Sequence, residues 1–291
     1  MVEANDRKFA RYKIFDTIVS KVDETIVKKD LPLNPSTAIP SPGHNTVKMP
    51  LLEDFSLDKT IDPADYKDIL KKEQNKLRTL HNIIYQRKIP IIIVYEGWDA
   101  AGKGGNIKRI TQALDPRGFE VVPVAAPNSA ELAHHYMWRF WNNLPKTGHI
   151  QIFDRSWYGR VMVERVEKIT PPSLWTIAYN EICEFEKYLS DWGAIIVKFW
   201  IHIDKDEQLE RFTERQEVPE KNWKITDEDW RNREKWDQYE QCCNDMLKYT
   251  STSFAPWTVI ESNDKKFARI KAIKTLIKAI ETRLEREDNI Y

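Results

Sequence analysis

The chain has 291 residues, enough to bury a sizeable core, and we expect one large domain with additions rather than two of equal weight. Charged residues make up 31% of it and balance to a formal net charge of zero, so no overall field draws it to nucleic acid or to a membrane, and any polyanion site must be local. Cys183 and the adjacent Cys242 and Cys243 form neither a zinc-type set nor an even disulfide framework.

That cysteine usage fits a reducing cytoplasm. The charged start "MVEANDRKFARYK", and the lack of any apolar run of roughly 18 residues, predict a soluble protein. Residues 1 to 30 place Phe9, Tyr12, Phe15, Ile18 and Val19 at loose helical spacing, which predicts an accessory helix. Five prolines between residues 31 and 50 exclude a regular helix there and favour an extended tether or wrapping arm. With this arm, residues 1–62 form the addition and residues 63–291 the main domain.

Asp62 and Pro63 are a helix start, and Tyr66, Ile69, Leu70, Leu77, Leu80, Ile83 and Ile84 continue it at helical spacing. Short apolar runs then follow at 91–95, 119–124, 150–153, 194–203 and 257–260, separated by longer segments of helical period. This alternation predicts a mostly parallel five-stranded sheet between helices, an α/β fold. The last segment puts Ile270, Ile273, Ile277, Ile280 and Leu284 on one stripe, with Lys266, Arg269, Lys271, Lys274 and Lys278 largely off it, as expected of a docked helix with a solvated basic face.

Between the first strand and the next helix lies "YEGWDAAGKGGNIKRI". Gly97, Gly102 and Lys103 satisfy the first seven positions of G-x-x-x-x-G-K-[ST] in the strand-to-helix context that a phosphate loop needs. Glycines let the backbone curl round phosphate oxygens, the helix start near Gly104 adds its positive end, and Lys103 adds an ammonium. The bland alternative is a glycine-rich turn with a surface lysine. Gly104 stands where a Ser or Thr usually offers magnesium a hydroxyl, so another group must hold the metal. Asp99 inside the loop is a candidate magnesium ligand or general base, or else a loop-capping aspartate. The strand "IQIFD" ends in Asp154, where a doubly wound sheet has its ligand crevice, so Asp154 is a second candidate for the metal, directly or through water. Arg155 and Arg160 offer planar forks for phosphate oxygens. The alternative is a structural Asp154–Arg155 pair, and Glu164 and Arg165 form a surface pair or take part in the site.

On "EGWDAAGKGG", "LDPRGFEVVPVAAP", "HHYMWRFW" and "LPKTGHIQIFDRSWYGRVMVERV", the sequence resembles the polyphosphate kinase 2 family, from about Tyr66 to Ile280 and most specifically between Glu96 and Val166. The resemblance implies a thymidylate-kinase-like, three-layer α/β/α P-loop fold with a helical lid at about 205–236. It also implies reversible phosphoryl transfer between polyphosphate and purine nucleotides with magnesium, manganese being the alternative metal. Carried over residue by residue, Lys103 grips the phosphate, Asp99 orients or deprotonates the acceptor, Asp154 organises metal, and Gly97, Ala101, Gly102, Gly104 and Gly105 shape the phosphate site.

By the same resemblance Arg155 and Arg160 line the polyphosphate path. Arg211 and Lys221, with Arg215 and Lys224 behind them, close over it from the lid. That lid carries eleven acidic and eight basic residues from Asp204 to Trp236, so its net charge does not mark an anion site. Arg117 and Asn128 are the acceptor-nucleotide candidates, followed by His134, His135 and Trp138, while the spacing of Trp138 and Trp141 reads as core packing. The resemblance further implies a homo-oligomer, with a tetramer as its suggested size. Two rivals share the loop: an ATP-dependent nucleotide or small-molecule kinase, and a nucleotide-binding regulatory protein without turnover.

Overall fold

The computed structural model describes residues 1–30, 38–39 and 43–288, apart from the side chains of residues 28–30, 221 and 224. The chain divides into two compact units, Met1–Thr37 and Ala38–Tyr291.

The first unit is helix α1 (Arg7–Asp30). Asp6 starts it by accepting the Lys8 and Phe9 amides on Oδ1 at 2.8 and 3.3 Å.

In the second unit, residues 43–62, read from the sequence as arm, pack onto the main body. Thr46 bridges Thr252 in antiparallel fashion, Leu52 is fully buried with its amide on Asn244 Oδ1 at 2.9 Å, and Lys59 reaches Glu261 at 2.7 Å. Helix α2 (Pro63–Gln86) opens as its sequence requires: Asp62 accepts the Ala64 amide at 2.8 Å, and Pro63 occupies a position whose N–H would have no partner.

The sheet comprises β1 (Ile91–Gly97), β2 (Phe119–Pro123), β3 (Ile150–Asp154), β4 (Ile195–His202) and β5 (Trp257–Glu261). Their order is β2-β3-β1-β4-β5, and every pairing is parallel. The central strand β1 is apolar and buried from Ile91 to Tyr95 because helices cover both of its faces. On one face α3 (Lys103–Thr111) anchors through Asn106, which takes the Tyr95 hydroxyl at 2.9 Å. Helices α4 (Ser129–Leu132), α5 (Trp138–Trp141) and α6 (Val163–Val166) are single turns flanking β3 in the chain. On the opposite face α7 (Pro172–Asp191) joins Lys198 of β4.

After β4 come α8 (Lys205–Glu217), a 3-10 turn at Pro219–Lys224 and α9 (Asp227–Glu234), which together occupy the span read as a lid. Helix α10 (Trp236–Thr250) returns to β5, and α11 (Lys265–Asp288) buries Ile270, Ile273, Ile277, Ile280 and Leu284. Parallel strands place all five carboxyl ends on one edge, and the register pairs Tyr95 with Asp154. The loop after β1 and the turn after β3 therefore open into one crevice.

Candidate active site

The loop's shape follows from its glycines and two tethers. Gly97 has φ +152°, and a Cβ there would lie 2.5 Å from the Ile201 carbonyl oxygen, so no side chain fits. Gly102 caps α3 at φ +106°, and Ala100 is held left-handed at φ +60°. Arg211 donates from Nη1 to the Ala100 and Ala101 carbonyls at 3.0 and 2.9 Å, and Ser262 Oγ adds a bond to Ala101 at 2.7 Å. The first amides of α3 lack intrahelical partners and form its positive end.

Lys103 Nζ donates to the Gly97 and Trp98 carbonyls at 2.6 and 3.2 Å. Burial holds its pKa below the ordinary lysine value, opposed mainly by the nearby Asp99 charge. At Gly104 a Cβ would meet nothing within 4 Å. The missing hydroxyl is thus no packing requirement.

Asp99 is held on three sides. Arg155 Nη2 lies 3.3 Å from Oδ1, Asn232 of α9 donates to Oδ2 at 3.0 Å, and Gln208 of α8 donates to its carbonyl at 3.1 Å. Arg155 sits in left-handed backbone at φ +66°, its amide on the Tyr95 carbonyl at 3.0 Å. The next residue, Ser156, donates to the buried Glu96 at 2.7 Å. Burial lifts the Glu96 pKa to about 6, against the pull of that hydrogen bond and of Lys103.

Asp99, Lys103, Asp154, Arg155, Arg215 and Asp229 share a cavity of about 610 Å³. Among the described residues no three acidic, histidine or cysteine side chains cluster as a metal cage. Asp99, Asp154 and Asp229 nevertheless line one open cavity, which suits magnesium, an ion that takes one or two protein carboxylates and completes its shell with water and substrate phosphate.

Other sequence-named residues lie elsewhere. Arg160 turns to Glu164 at 2.7 Å, to Thr170 and to the Tyr136 ring, while its buried Nε has no hydrogen-bond partner. Arg165 bonds Asp245 at 2.7 Å and Tyr179, so Glu164 and Arg165 pair with other residues instead of each other. Arg211 is only 3% exposed, and its nitrogens also serve Glu207 at 2.6 Å and the Ser262 and Asn263 carbonyls. It shapes the loop and has no donor left for a phosphate chain in this conformation. The Lys221 and Lys224 side chains lie outside the described residues.

Arg117 is exposed and closed on Asp115 at 2.8 Å, and Asn128 caps α4 through the Glu131 amide at 2.9 Å. His134 stacks on Trp138 at 4.2 Å, and His135 approaches Glu181 at 3.7 Å. Trp138 and Trp141, read as core, are partly exposed.

Sequence reasoning missed two openings beside the loop. One, of about 310 Å³, is lined by Gly102, Arg211, Glu214, Arg215, Lys265 and Arg269 among others and contains no aromatic ring. Arg269, expected on a solvated face, points here, and Lys271 bonds the buried Glu261 instead. The other opening holds Trp98, Trp200, Trp236 and Tyr239 beside Asp99 and Asn232. Trp98 and Trp236 stack at 3.8 Å, and the buried Trp200 Nε1 has no hydrogen-bond partner. The tryptophan count was visible in the sequence; which rings converge was not.

A central parallel sheet in this order, a glycine-lysine loop after β1, a carboxylate at the end of β3 and a helical segment bonded to the loop define a P-loop kinase fold. The model of the polyphosphate kinase 2 family matches residues 60–288, and the chain belongs to that family. It is 50% identical to the polyphosphate:AMP phosphotransferase of Pseudomonas aeruginosa over 81% of this chain and 48% of that one. To the GDP-polyphosphate phosphotransferase of Mycolicibacterium smegmatis it is 38% identical, over 77% and 80%. The crystal structure of a polyphosphate kinase 2 from Arthrobacter aurescens superimposes with a TM-score of 0.78 at 29% identity, covering 84% and 90%. The chain spans about half the length of the Pseudomonas aeruginosa relative.

Proposed function

We propose that the chain transfers the terminal phosphoryl group of inorganic polyphosphate to a nucleoside mono- or diphosphate, reversibly and with magnesium. The observation that carries this reading is the contrast between the two openings. The one lined by Arg215, Lys265 and Arg269, with Glu214 as its one carboxylate, is net cationic and ring-free, which suits a repeating phosphate chain and gives a base nothing to stack on. The other, beside Asp99, is bordered by Trp98, Trp200, Trp236 and Tyr239, aromatic surface of the kind a base packs against. Relatives named for AMP and for GDP support a purine nucleotide acceptor of either phosphate count.

In this reading the terminal phosphoryl sits at the start of α3. Lys103 exchanges its two loop carbonyls for phosphate oxygens, while Gly97, Ala101, Gly102, Gly104 and Gly105 give the backbone room to approach. An acceptor phosphate oxygen attacks the phosphorus in line. Its new P–O bond forms as the bond to the chain breaks, which leaves polyphosphate one unit shorter and needs no covalent enzyme intermediate. Asp99 and Asp154 would hold magnesium, or manganese, whose charge offsets that of the two polyanions. Arg155 steadies Asp99 and presents its fork to the phosphoryl in transit.

Magnesium, long-chain polyphosphate and separately AMP, ADP, GMP or GDP should yield the higher nucleotide only when polyphosphate and Lys103 are both present. No product with any acceptor, from a folded sample, would overturn the reading. Product with ATP but not polyphosphate would replace it by the ordinary kinase. The exposed Trp141, Leu174, Ile177 and Tyr188 support assembly into a homo-oligomer, for which sedimentation is the measurement. A cytoplasmic setting suits three buried free thiols, and among the described residues no helix is long and apolar enough to cross a membrane.

A further inference from the structure

Behind the site, on the opposite face of the sheet, lies a fully buried ion pair. Lys198 of β4 spends its three donors on Glu186 of α7 at 2.7 Å, the Tyr158 hydroxyl at 2.8 Å and the Thr250 carbonyl at 2.8 Å. Glu186 in turn accepts the Tyr158 hydroxyl at 2.6 Å and Trp157 Nε1 at 3.1 Å. Lys198, Glu186, Tyr158 and Thr250 are all 0% exposed. Well-packed apolar residues usually stabilise a core as much as such a pair does, so stability alone does not explain it.

Its position suggests a reason. Trp157 and Tyr158 begin the 3-10 turn that follows Asp154, Arg155 and Ser156. Arg155 is held in left-handed backbone, which persists only where its surroundings over-determine it. Ser156, the next residue, is fixed to Glu96, and Trp157 and Tyr158, the two after it, are fixed to Glu186.

We propose that the Lys198–Glu186 pair is a positioning element of the phosphoryl-transfer site, setting through Trp157 and Tyr158 the turn that aims Arg155 at Asp99. The proposal rests on the polyphosphate-dependent reading above. Directional hydrogen bonds on three successive residues after Arg155 fix how the turn starts, which interchangeable apolar contacts would leave free to shift.

The test compares the full-length wild type, Glu186→Leu with Lys198→Met, Arg155→Ala, and all three together. Removing both charges strands neither, but it leaves the buried Tyr158 hydroxyl and Trp157 Nε1 without their acceptor, so the double variant should melt about 5–10 °C below wild type and stay folded at assay temperature. It should lose about tenfold in kcat with KM within about twofold, yet lose no more than about twofold when Arg155 is already Ala. Tyr158→Phe, which deletes one hydroxyl, should show the same dependence on Arg155 at about threefold and stands in if the double variant does not fold. An equal loss in both backgrounds, or no loss, overturns the proposal. Should the wild type phosphorylate no acceptor, the functional reading falls by itself. Calorimetric affinity for magnesium tripolyphosphate, read across the same four proteins, then decides the positioning role by the same criterion.

Discussion

Two lysines with little access to water sit on either side of the sheet's carboxyl edge, and their partners differ in kind. Lys103 bonds only two neutral carbonyls of its own loop, whereas Lys198 bonds a carboxylate, a hydroxyl and a carbonyl from three distant segments. Burial lowers the pKa of both. A cation resting on neutral carbonyls gains when a phosphate oxygen arrives. A cation already neutralised and fully coordinated has nothing to gain by moving. The same side chain thus rests on exchangeable neutral partners in one region and is fixed among charged and polar partners in the other.

The contrast can be broken most severely at the loop. Lys103→Ala should reduce polyphosphate-dependent turnover by about a thousandfold while the melting temperature stays within a few degrees, since only two loop carbonyls lose a partner. A large drop in melting temperature would make Lys103 structural instead.

Lys198→Met alone should do the reverse to stability. Stranding the Glu186 carboxylate in the core should cost about 4 kcal/mol in urea unfolding and about 10 °C in melting temperature. A change below about 1 kcal/mol would show that water reaches the pair.

Glu96 sharpens the comparison through pH. Its folded pKa of about 6 lies above the ordinary glutamate value of 4.5, so the folded state binds the proton more tightly than the unfolded one. Its contribution is full below pH 4.5 and is lost as pH rises through 6, a change of about 2 kcal/mol. Urea unfolding at pH 4.5 and 7.5 should show that difference between wild type and Glu96→Gln, and parallel behaviour of the two proteins would refute it.

The smallest effect belongs to a third lysine. Lys187 pairs with Asp191 on the exposed side of α7, and Lys187→Ala should change unfolding by less than about 0.5 kcal/mol. Urea titration of this variant sets the floor against which the others are read.

The sheet was legible because parallel strands buried on both faces carry unbroken apolar runs, and the five runs coincide with β1–β5 to within a residue or two. The loop was legible because glycine spacing records backbone geometry directly. What escaped depended on partners far apart in the chain. Arg211 reads as a lid cation until its bonds to Ala100 and Ala101, more than a hundred residues earlier, are seen. Lys198 is one of two polar letters, with His202, inside "IIVKFWIHI", and no spacing rule names Glu186 or Tyr158 as its partners. Arg269 sits off an apolar stripe, which distinguishes a face but not bulk solvent from an opening beside the loop. Trp138 and Trp141 show the converse error, since helical spacing on a one-turn helix carries too little period to tell inside from outside. The Arg117–Asp115 closure, by contrast, spans two residues and was within reach of local reasoning.

The stacked indoles of Trp98 and Trp236 join the glycine-lysine loop to the end of the span read as a lid, with ring centres 3.8 Å apart and planes 11° from parallel. Transition dipoles that close couple strongly, so the pair carries an optical signature that changes whenever loop and lid part by a few ångströms. Near-ultraviolet circular dichroism therefore reads the separation of those two segments without any attached dye.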